Sequence, residues 1–129
     1  MIETATKDDA CRSDCAYVPR ELVRQLISSG ASRTEWAVIV TMMVGMPINA
    51  REIGVFSDGT PKSSKMIAKD AGLSQACMVR RALSSLVSKG IIERSRAVKV
   101  EGRFINVYRL TDMALGIEVD RRSLLKLVD

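Results

Sequence analysis

The sequence predicts a mainly α-helical fold with one small β-hairpin, and three observations predict it. Apolar residues recur at helical spacing over two adjacent stretches, about Ser63 to Ala71 and Ser74 to Lys89, with Gly72 between them as the residue free to make a tight turn. Two alternating stretches follow, Ile91 to Val98 and Phe104 to Leu110, joined by a polar tip over Lys99–Arg103. Positive charge concentrates there as well. From Thr60 to Leu110 eleven Lys and Arg face three acids, a net +8, while the remainder of the chain carries nine basic residues against twelve acidic ones. Helix, turn, helix and then a basic hairpin is the order of a winged helix-turn-helix.

Residues 1–16 are polar and acidic and are expected to form a flexible leader. The domain proper is expected over 17–111. Its first helix opens at Pro19, turns Leu22, Val23, Leu26 and Ile27 inward, and stops at Gly30. Ser32-Arg33-Thr34-Glu35 reads as a capping box, in which the serine hydroxyl and the glutamate carboxylate both satisfy free backbone N–H groups of a second helix. That helix is apolar on nearly every face from Trp36 to Met43, so it belongs either at the centre of the core or against a second subunit. Gly45 and Pro47 end it. Between Met46 and Thr60 the pattern weakens, with Ile53 to Phe56 a candidate short strand and Ser57-Asp58-Gly59 a turn.

In the helix before Gly72, Met66, Ile67 and Ala71 are expected inside. Leu73 fills the corner, Ser74 caps the next helix, and Val79, Leu83 and Leu86 form its buried stripe with Ala82 and Val87 at the edges. Residues 112–129 read as a helical tail. Leu124, Leu125, Leu127 and Val128 are its apolar content, a candidate dimer contact together with the second helix.

A chain of 129 residues has room for one such domain, and 47% apolar with 27% charged residues is ordinary for a folded protein. The longest apolar run, Trp36 to Met46, is too short to span a bilayer, and the N-terminus lacks the basic start and apolar stretch of a signal peptide, so a cytoplasmic protein is expected. Cys11, Cys15 and Cys77 have no histidine to complete a common zinc site, and no metal or other cofactor is expected. Without histidine, a phosphate-binding glycine loop or paired carboxylates, the chain does not read as an enzyme.

A basic block on one half of a small domain is what neutralising a phosphate backbone requires. With Val79, Leu83 and Leu86 against the core, the opposite face of the second motif helix carries Ser74, Cys77, Arg81 and Ser84, flanked by Arg80, and Gln75 sits at its start. Arg81 is the leading base reader, followed by Gln75 and Arg80, because a helix in the major groove reads bases from its N-terminal half and arginine pairs with guanine. Lys62, Lys65, Arg94, Arg96, Lys99 and Arg103 are expected to reach phosphates or the minor groove from the hairpin and flank. An exposed arginine alone signals only solvation; the acid-free, serine-rich face around this pair favours a partner.

The stretch KMIAKDAGLSQACMVRRALSSLVSKGIIERS, followed by GRFINVYRL, resembles the winged helix-turn-helix of small prokaryotic DNA-binding proteins, MarR-type transcriptional regulators among them. From VPRELVRQL through SRTEWAVIV to VYRL the chain is similar to the origin-binding domain of phage replication protein O and related replisome organisers. The resemblance implies double-stranded DNA as partner. The expected role is a transcriptional regulator that occupies an operator as a homodimer; the alternative is an origin-binding protein of a phage or plasmid that recruits replication machinery. This chain has one residue more between Gly72 and the Leu83/Leu86/Gly90 set than those families usually have, so base-contact positions carry over only to within one residue.

Overall fold

The computed structural model describes residues 16–47 and 50–116. Helix α1, Arg20–Ser28, starts after Pro19, whose φ of −59° suits a helix entry and whose carbonyl accepts from the Val23 N–H at 3.2 Å. Leu22 and Leu26 are buried, but Ile27, expected beside them, is 67% exposed: one further step of 100° carries it off the stripe. Helix α2, Arg33–Met43, is capped by Ser32, whose Oγ accepts from the Glu35 N–H at 3.2 Å. The Ser32 N–H in turn bonds the Glu35 carboxylate, the other half of the capping box, and that carboxylate also reaches across to another helix. Val38, Ile39, Met42 and Met43 are buried, and Trp36 and Val40 pack on the core they form. The apolar excess of α2 is thus taken up by its own chain.

The weakly patterned stretch between Met46 and Thr60 supplies one short strand. β1, Glu52–Ile53, pairs antiparallel with the second hairpin strand, Glu52 opposite Arg109 and Ile53 opposite Tyr108, so the sheet has three strands with the second hairpin strand at its centre. It falls earlier than the expected Ile53–Phe56 stretch, where Val55 makes only a bridge to Pro61. Gly54 follows at φ +71°, donates to the Met42 carbonyl at 2.8 Å, and would set an added Cβ 2.7 Å from Met42 Cε. Gly54→Ala should therefore cost at least about 1–2 kcal/mol for the left-handed backbone alone. Urea unfolding measures it; an unchanged midpoint would show that the backbone relaxes there.

Helix α3, Ser64–Asp70, is capped by Ser63 Oγ, which accepts from the Met66 N–H at 3.1 Å. It buries Ile67 and Ala68, whereas Met66, expected inside, is exposed. Helix α4, Ala76–Ser88, begins two residues later than expected: Gln75 holds the N-cap position without a side-chain capping bond to the helix backbone, and the Ser74 hydroxyl, the expected cap, is directed at Met78 Sδ, 3.7 Å away. Val79, Ala82, Leu83 and Leu86 are buried against α2 and α3, and Val87 is exposed.

Strands β2, Ile92–Val100, and β3, Arg103–Leu110, are longer than the expected stretches, with a bulge between Arg94 and Arg96. Pairing continues to Val100 opposite Arg103, so the tip is the two residues Glu101 and Gly102, at φ +50° and +80°. Positive φ at both is the tight turn that matches strand twist. The expected five-residue tip is corrected: Lys99 and Arg103 lie in strands.

Thr111 then caps α5, Asp112–Leu115, accepting from the Ala114 N–H at 3.2 Å while its hydroxyl donates to the Gly90 carbonyl at 2.6 Å. α5 packs on α1 and buries Ala114 completely. The start of the tail therefore belongs to the core; Leu124, Leu125, Leu127 and Val128 lie outside the described residues. At the other end Ala16, assigned to the leader, bridges to Val44. The fold is mixed, helices and a small antiparallel sheet around one core, and no helix among the described residues is long and apolar enough to cross a membrane.

Candidate nucleic-acid interface

A groove of about 540 Å³ runs between α4, the start of α3 and the hairpin. Its lining brings together Lys62 just before α3, Lys65 in it, Arg80 and Ser84 on α4, and Arg103, Asn106 and Tyr108 on β3, with no carboxylate among the lining residues. The placement follows from local structure. Arg80 and Ser84 stand one turn apart on α4, beside the buried Val79/Leu83 line, so both face the hairpin. Phe104, Asn106 and Tyr108 alternate along one face of β3, and their cross-strand partners Lys99, Ala97 and Arg94 share that face.

Arg81 goes elsewhere. One step further round α4, it borders a separate hollow of about 370 Å³ with Ser32, Thr34 and Glu35, next to the start of α2. Between the two arginines, Cys77, Ser84 and Ser88 form the outward line of the helix, small side chains that allow close approach to its backbone. Ser74 and Gln75 are exposed just before it, and half-buried Cys77 donates to Gln75 Oε1 at 3.1 Å. Of the predicted set, then, Lys62, Lys65, Arg80, Ser84 and Arg103 meet in the groove, and Arg81 flanks the opposite side.

Arg96 is not available for phosphate in this arrangement. Its guanidinium grips Glu52 with two bonds, Nε to Oε2 at 2.9 Å and Nη2 to Oε1 at 3.0 Å, and donates to the Gly59 carbonyl at 3.0 Å. The hydrogen bonds from Arg96 and then Ser95 hold the Glu52 carboxyl below its ordinary range, and Glu52 raises Arg96 in turn. The pair ties the hairpin to β1 and the loop after it. Arg109 is likewise met by its cross-strand partner Glu93 at 2.7 Å, and Lys89 by Glu35 at 2.6 Å. That leaves Lys62, Lys65, Lys69, Arg80, Arg81, Arg94, Lys99 and Arg103 without an ion pair among the described residues. Lys62 lies over the Phe56 ring at 5.5 Å and Lys99 over Phe104 at 6.0 Å, contacts that leave their charge for a partner.

Sequence reasoning did not assign Phe104, Asn106 and Tyr108 to the site, although their alternation along one strand was the available signal. Glu52 offered none. Among the described residues no three His, Cys, Asp or Glu side chains gather where a metal ion could be held. Comparisons with protein-family models, curated proteins and solved structures each find no match.

Proposed function

We propose that this chain is a winged helix-turn-helix protein that binds double-stranded DNA, laying α4 in the major groove and the β2–β3 hairpin alongside as the wing. The observation that carries the reading is the acid-free groove where Lys62, Lys65, Arg80 and Arg103 converge beside the small-residue line of α4. Cations spread over α3 and the residues before it, α4 and β3 suit a phosphate backbone, and a helix with short outward side chains suits close contact with base edges. The order of elements, with β1 completing a β1-β3-β2 sheet, also supports it. The protein acts by binding rather than catalysis, as a transcriptional regulator on an operator. A homodimer would place two α4 helices on half-sites one helical turn apart, since one short helix reads few bases.

Affinity for a mixed-sequence duplex should fall steeply with salt. If Lys62, Lys65 and Arg103 in the groove and Arg81 beside it each displace a counterion, raising salt from roughly 50 to 200 mM should weaken binding on the order of a hundredfold. A flat salt response would overturn the reading. Sequencing the genomic fragments that the full chain selects separates roles: single sites in promoters support a regulator, and clustered repeats at an origin replace it with an initiator.

A further inference from the structure

Resting on the DNA reading, we infer that the wing is a wedge: Phe104 inserts between base pairs from the minor groove and kinks the bound duplex. Phe104 is 73% exposed, the most exposed of the large apolar side chains among the described residues. An aromatic ring left mostly in water at the end of a hairpin buries little within its own domain, so most of its apolar surface is free for a partner. Its surroundings fit nucleic acid. Lys99, its cross-strand partner, lies over the ring at 6.0 Å, and Arg103 precedes it, so cations border the apolar tip and match the phosphates that border a minor groove. The mount is stiff as well: pairing continues to Val100 and Arg103, and the tight Glu101-Gly102 turn closes it. On the same strand face Asn106 leads from the ring into the groove beside α4, so wedge and reading helix can engage one duplex together. Side chains that enter base steps this way bend DNA by roughly 20–90° toward the major groove.

The test measures end-to-end energy transfer in a labelled duplex of about 30 base pairs centred on flexible TA steps, against a stiff A-tract duplex of the same length. The wild-type chain should raise transfer on the TA duplex and raise it less on the A-tract. At concentrations that saturate the duplex, Phe104→Ala should leave transfer at the free-duplex value. Phe104→Leu, still apolar and bulky, should keep the bend. Wild-type binding without a change in transfer overturns the wedge and leaves the DNA reading standing, as does full bending by Phe104→Ala. If Phe104→Ala loses affinity for single-stranded oligothymidine with duplex bending intact, the ring stacks on unpaired bases instead. If the wild-type chain binds neither duplex at low salt, the DNA reading fails and the wedge with it.

Discussion

Glu35→Ala should lower the free energy of unfolding by about 3 kcal/mol, the low end for breaking a buried ion pair. Glu35 is 7% exposed and accepts three bonds from the far end of α4: Ser85 Oγ at 2.9 Å and Lys89 Nζ at 2.9 and 2.6 Å. Alanine leaves the Ser32 cap in place, since that bond uses the Glu35 backbone N–H. It strands the Lys89 ammonium, whose side chain is 23% exposed and can recover only part of its hydration, which is why the low end applies. Replacing both partners, Glu35→Leu with Lys89→Met, should recover much of the loss, because an apolar pair leaves no charge uncompensated. A double variant no more stable than Glu35→Ala would show that the pair is worth more than its desolvation costs.

The same carboxylate sets a pH dependence. Burial pushes the Glu35 pKa up, but the hydrogen bonds from Lys89 and Ser85 and the Lys89 charge outweigh it and hold the group below its ordinary 4.5. A carboxyl depressed in the folded state contributes stability in full above the unfolded value and loses it as pH falls through the folded one. Denaturation midpoints should therefore drop below pH 4.5 in the wild type and drop less in Glu35→Ala. Parallel curves for the two proteins would place the acid sensitivity elsewhere.

What the sequence made legible was periodicity. The stripe Val79, Leu83, Leu86 and the turn at Gly72 announce α4 and its partner helix because each repeats a signal over several turns. β1 was hard to read because two residues cannot show an alternation, and half of the pair, Glu52, is charged. Side-chain destinations were harder still. The motif at Ser32 to Glu35 reads as a capping box and the Ser32 N–H does bond the carboxylate, yet the same carboxylate also takes Lys89, 54 positions away, a charge that only the fold brings near. Arg96 went astray for the same reason: alternation places it on the hairpin, but its pairing with Glu52 depends on a strand that the sequence barely marks. The basic character of the groove was visible as net charge; which cations remain free in it was not.

Arg80→Ala should weaken binding to the selected DNA site by roughly 10- to 100-fold and relax its preference at one base pair, as loss of a bidentate arginine–guanine contact does. Arg80 lines the groove with Lys65 and Arg103, on the side of α4 that the hairpin flanks, whereas Arg81 sits across the helix beside Ser32 and Thr34. From sequence alone Arg81 is the leading reader, and the extra residue after Gly72 leaves the position uncertain by one; the groove favours Arg80. Arg81→Ala should weaken binding on every sequence alike and reduce the salt slope by about one, the mark of a phosphate contact next to the start of α2. Both side chains are exposed, so thermal unfolding of the two variants should match wild type, and a loss of binding reports on the interface rather than on folding. If Arg81→Ala instead changes base preference while Arg80→Ala does not, the reading face of α4 is the one turned toward α2, and the groove beside the hairpin serves only the backbone.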